Sequence, residues 1–189
     1  MSFKVLVVPE DPTHDGYILK PLAEALLADA GRPRAKVQVL ENPRVKGYPD
    51  AARTIRGDEF QTSYAHYHLW LFIPDADRAK RDAMDHLEAV SRSRGVSLLC
   101  CAAQPEVDIY ACVPFRHELH MTWEEVRNHP RMREEVFEPL LARHGYPRRP
   151  GGGRDLMITR SLRNLPLLYR LCPETKRLRD RIAAYLEAR

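Results

Sequence analysis

Seven acidic side chains fall in three short groups, each following an apolar run: Glu10, Asp11 and Asp15 after KVLVV, Asp75 and Asp77 after HLWLFI, and Glu106 and Asp108 after VSLLCCAA. Carboxylates gathered in one place repel each other unless a cation lies among them, and an oxygen-only donor set favours a hard ion, Mg²⁺ or Mn²⁺, over zinc. The Asp75-x-Asp77 spacing sets two carboxylates on the same side of an extended segment. Such a set, if the three runs are neighbouring strands, predicts a site for a divalent metal ion.

The elements that must position these groups are legible from periodicity. Residues 4–8 are a β-branched run, and 17–30 repeat Ile18, Leu19, Leu22, Leu26 at helical spacing before Gly31. Residues 35–40 alternate as a second strand, a helix is expected over 50–64, 68–73 is a buried strand, 79–93 a helix, and 96–103 a fourth strand. The alternation predicts an α/β domain over 1–113 with a mainly parallel sheet flanked by helices. In such a sheet ligands gather beyond the carboxyl ends of the strands, where all three acidic groups fall.

From residue 114 onward no strand pattern appears, and 114–189 is expected to be a helical appendage packed on the core. Thr122 and Glu125 have capping-box spacing and open a helix that bends near Pro130 and ends at Gly145. The run RRPGGG, 148–153, is expected to be a flexible break, followed by helices over 155–171, interrupted near Pro166, and 173–188.

The net charge of +4 conceals a division, since residues 1–110 carry 14 basic and 16 acidic side chains and residues 111–189 carry 16 and 10. Arg148, Arg149, Arg154, Arg160 and Arg163 are therefore candidates for holding phosphate oxygens of DNA or RNA, although solvated helix faces or a protein-binding surface would look much the same. The glycine triplet is not a phosphate loop, because no Gly-Lys-Ser/Thr follows it. His117 and His120 stand three apart, not the four of a zinc-protease helix. His66 and His68 are expected to pack or hydrogen-bond, and His14, between Glu10 and Asp15, is the histidine nearest the acidic groups in sequence. With no secretory or membrane-spanning run, a cytoplasmic location without membrane association is expected, and with it reduced, buried Cys100, Cys101, Cys112 and Cys172.

VLVVPEDPTHD and LWLFIPDADRA together resemble the first motif and the Asp-x-Asp motif of the Toprim (topoisomerase-primase) superfamily. AAQPEVDIYAC and LYRLCPETKRLRDRI are similar to segments of small stand-alone bacterial Toprim-like proteins. The likeness covers residues 4–113, and for that subgroup extends over the chain. It implies a Mg²⁺- or Mn²⁺-dependent nuclease or related phosphodiesterase, in phage defence or DNA processing, with an ATPase as a partner protein. It implies Glu10 as acid/base or metal-bridging residue, Asp75 and Asp77 as ligands, and Asp15 and Glu106 as auxiliary ligands. Where the motif usually places Gly after the glutamate this chain has Asp11, which questions the aim of Glu10. No tyrosine is placed as a topoisomerase nucleophile, and primase zinc ligands are absent. A noncatalytic metal-binding subunit of an ATPase-containing complex is the alternative. A response-regulator receiver ranks below both, for want of a Lys-Pro pair after a later strand.

Overall fold

The computed structural model describes residues 2–76 and 81–189. Four strands, β1 (Lys4–Val8), β2 (Lys36–Val39), β3 (Leu69–Phe72) and β4 (Leu98–Cys100), form one parallel sheet in the order β2-β1-β3-β4. Helix α1 (Gly16–Asp29) joins β1 to β2; α2 (Tyr48–Arg56) and α3 (Asp58–Ser63) join β2 to β3; α4 (Arg81–Ser93) precedes β4. The helix expected over 50–64 is thus two, because Gly57 takes extended backbone between them.

Alternation along each strand sorts its side chains onto two faces. Leu6, Val8, Trp70, Phe72 and Leu98 pack with Ile55, Phe60 and Leu87 from α2, α3 and α4. Val5, Val7, Leu69, Leu71 and Ile73 face the other way, onto α1 and the C-terminal helices. The chain moves from β1 outward to β2 and, after crossing back, from β3 outward to β4, in opposite directions along the sheet. Right-handed crossovers then require α1 and α4 on opposite faces, as they are. They also leave a crevice between the carboxyl ends of β1 and β3, where the direction reverses.

The C-terminal half is helical: α5 (Ile109–Cys112), α6 (Trp123–Arg127), α7 (Glu138–His144), α8 (Arg154–Leu162), α9 (Leu165–Leu171) and α10 (Pro173–Glu187). The Thr122–Glu125 capping box forms, but α6 is short, and a π-helical turn at Arg133–Phe137 leads into α7. Met157, Ile158, Leu168, Leu178 and Ile182 share one buried cluster with α1 and the sheet. The appendage therefore closes the second face of the sheet.

The edge of β4 is finished by side chains. Glu88 accepts the outward Cys100 N–H at 2.6 Å, and Arg181 donates to the Cys100 carbonyl at 2.9 Å and to Glu88 at 2.6 Å. One ion pair thus takes the hydrogen bonds that another strand would make.

The run 148–153 corrects the expectation of a flexible break. It is a tight turn in which Gly151, Gly152 and Gly153 all have positive φ. A Cβ on Gly151 would lie 2.4 Å from the Tyr17 ring, and one on Gly153 would lie 2.5 Å from the Tyr146 amide. All three glycines have left-handed backbone, and at Gly151 and Gly153 it is also pressed against its neighbours, conditions that a side chain does not meet.

Candidate active site

The site begins with the turn after β1. Asp11 Oδ1 accepts from the Thr13 N–H at 2.8 Å, Asp11 Oδ2 lies 3.0 Å from His14 Nδ1, and the Asp11 N–H donates to Asp15 at 3.0 Å. No described non-glycine residue has positive φ. The turn is therefore wound by side-chain hydrogen bonds, and Asp11 needs no glycine's freedom. Asp15, instead of capping α1, is turned back into the protein and is 2% exposed. Glu10 is also buried, its carbonyl accepts from the Gly47 N–H at 3.0 Å, and its backbone lies just beyond the Val8–Phe72 pairing, at the mouth of the crevice.

Beyond β3 the ladder resumes for one rung, with Asp75 bridged to Ala103. This fixes Asp75, whose Oδ1 accepts the Val107 N–H at 2.9 Å. The same segment carries Glu106 and Asp108, so Asp15, Asp75, Glu106 and Asp108 meet from three loops. At their centre is Arg133, at the start of the π-helical turn. Its Nε lies 2.6 Å from Asp108 and 3.3 Å from Glu106, and one terminal nitrogen lies 3.9 Å from both Asp15 and Asp75. Its backbone N–H donates to Glu106 at 2.8 Å. Arg154, 8% exposed, adds a second guanidinium 3.5 Å from Asp108, lying over the Phe137 ring.

Two guanidiniums do not neutralise four carboxylates, and the remainder appears as retained protons. Burial, reinforced by Asp75 and Asp108, pushes the Asp15 carboxyl up to about 8 despite the Asp11 N–H and Arg133. Burial, with Asp75 and Asp108 adding to it against Arg133, pushes Glu106 to about 7. The same carboxylates raise Arg133, holding it charged. A divalent cation bound there would take the place of those protons. Beside it opens a cleft of about 460 Å³ lined by Asp75, Gln104, Glu106, His129 and Arg133 among others.

Among the described residues no three His, Cys, Asp or Glu side chains are arranged to hold a metal ion. The expected rim is centred on a guanidinium, and Asp77, the second acid of Asp75-x-Asp77, lies outside the described residues. In chemistry the set fits a hard ion, being all carboxylate oxygen and carrying protons in place of positive charge.

The other candidates are dispersed. Arg154 belongs to the acidic cluster and is too buried for nucleic acid to reach. Arg149 pairs with Asp155 at 2.7 Å, Arg160 lies over Phe115, and Arg148 and Arg163 are exposed; none of the four lines the cleft beside Asp75. His68 accepts from the Lys4 N–H and stacks on Phe3, and His66 lies tilted against Tyr67, all at the amino end of the sheet, away from the carboxylates. His117 and His120 are exposed. Sequence reasoning passed over Arg133, which carries no local signal: it stands 58 positions beyond Asp75 in an ordinary charged run.

The fold and site define a three-layer parallel α/β protein with an arginine-centred carboxylate rim at its topological switch point. No family model, curated protein or solved structure matches the chain.

Proposed function

We propose that the chain is a Mg²⁺- or Mn²⁺-dependent phosphodiesterase acting on DNA or RNA. The observation that carries this reading is the convergence of Asp15, Asp75, Glu106 and Asp108 at the switch point with more negative charge than Arg133 and Arg154 offset. The Toprim resemblance points to the same chemistry. Asp75, Asp77 and Glu10 would hold the ion, with Asp15 and Glu106 as auxiliary ligands. A bound ion would lower the pKa of water and offset charge developing on the phosphoryl oxygens.

The protein's own groups divide the remaining work. Asp75 is held by the Val107 amide and the Ala103 bridge, so its carboxylate is positioned by the fold without a search. Glu106, held at the cleft wall by the Arg133 backbone N–H, would support the ion as an auxiliary ligand. Arg133, freed from part of its carboxylate shell, can take a phosphoryl oxygen.

The self-contained Arg133 network favours one second reading, a noncatalytic subunit whose rim binds a regulatory ion or an ATPase partner. Turnover separates the two. Supercoiled plasmid, single-stranded DNA and RNA are incubated with Mn²⁺ or Mg²⁺ and the wild type or Asp75→Ala/Asp77→Ala. Cleavage by the wild type alone is expected. Cleavage retained in the double variant would remove the rim from the chemistry, and no cleavage by the wild type would favour the subunit reading.

A further inference from the structure

A second depression, of about 910 Å³, runs between α4, the edge of β4 and α10, lined by Arg81, Arg127, Arg177 and Arg181 with Asp85 and Glu174. It shares Ala76, Gln104 and Arg127 with the cleft beside Asp75, so it forms a trough that adjoins that cleft. Its arginines are not equivalent. Arg127 is spent on a bidentate pair with Glu174, at 2.9 and 3.1 Å, and Arg181 on Glu88 and the β4 edge. Arg177 is exposed with no ion-pair partner among the described residues, and Arg81 has only Asp85 at 4.0 Å. Arg177 and Arg181 stand one turn apart on α10, the second held rigid by its bonds to β4.

Resting on the phosphodiesterase reading, we propose that this trough seats a single polynucleotide strand by its phosphates and leads it to the carboxylate cleft. A concave track with cations at its wall suits a strand, not a duplex, since no helix or ribbon projects from it to enter a groove. No aromatic side chain lines the trough, so bases are not stacked on it and binding is independent of sequence. This assigns the polynucleotide contact to Arg81 and Arg177, in place of the arginines around the glycine turn.

The test is fluorescence anisotropy of a labelled 20-nucleotide oligo-dT in EDTA, which reads binding without hydrolysis. Arg177→Glu is compared with wild type and with Arg34→Glu, an equal charge change just before β2 at the opposite edge of the sheet. Expected are a loss of at least tenfold for Arg177→Glu, less than twofold for Arg34→Glu, and a salt slope reduced by about 0.7 in Arg177→Ala. Equal losses in both glutamate variants, or tighter binding of a 20-base-pair duplex than of the oligo, would overturn the trough. Binding through Arg177 by a chain that cleaves nothing would uphold the trough and refute the hydrolytic reading.

Discussion

At the scale of single residues, Asp15 illustrates how burial and charge decide a role together. It stands where a helix cap is ordinary, yet its carboxylate is turned inward among Asp75, Asp108 and Arg133. Its folded pKa, about 8 against an ordinary 3.8, means that the native state keeps a proton which the unfolded chain releases near pH 4. The associated stability is full below that value and is lost as pH rises through 8. Urea unfolding at pH 5, 6.5 and 8 in EDTA should show the wild type losing stability relative to Asp15→Asn, by up to about 1.4 kcal/mol per pH unit. Parallel pH profiles for the two proteins would mean that Asp15 is ionised throughout.

At the scale of elements, the strands could be read from sequence because a parallel strand covered on both faces is a continuous apolar run, as in LWLF. Helix lengths were less legible: Gly57 divides one expected helix, and the α6–α7 stretch breaks around a π-helical turn. The glycine triplet was misread for a physical reason. Gly in sequence signals conformational freedom, while the need for a left-handed, crowded turn depends on Tyr17, which lies 134 positions before Gly151. Gly151→Ala should cost about 2 kcal/mol, a melting temperature lower by about 4–8 °C, because strain at φ 69° is joined by the clash with Tyr17. Gly152→Ala shares the strain, at φ 67°, but its Cβ meets nothing nearer than 3.6 Å, so its loss should be about half. Equal melting temperatures for the two variants would contradict the packing described for this turn.

At the scale of the whole molecule, no helix among the described residues is long and apolar enough to cross a membrane. The division of charge between the two halves of the chain resolves into an interlocking arrangement. The acidic groups that end the strands were legible, because βα alternation implies a parallel sheet whose ligands gather beyond the carboxyl ends of its strands. What they surround was not, because Arg133 and Arg154 reach the rim from the helical half through contacts of long sequence separation. Those guanidiniums partly neutralise the rim, and Arg81 and Arg177 extend positive charge along the adjoining trough. This is the distribution that a phosphodiester strand and a divalent ion would both need.

The most direct measurement is Mn²⁺-dependent cleavage of single-stranded DNA by Asp75→Asn. Asparagine keeps an oxygen for the Val107 amide, so the loop and the Ala103 bridge are preserved while the charge is removed. With melting temperatures matched to within a few degrees, a rate at least 100-fold below wild type is expected, about 2.7 kcal/mol of lost transition-state stabilisation. A rate within threefold of wild type would contradict it, and would move any hydrolysis away from the carboxylate rim.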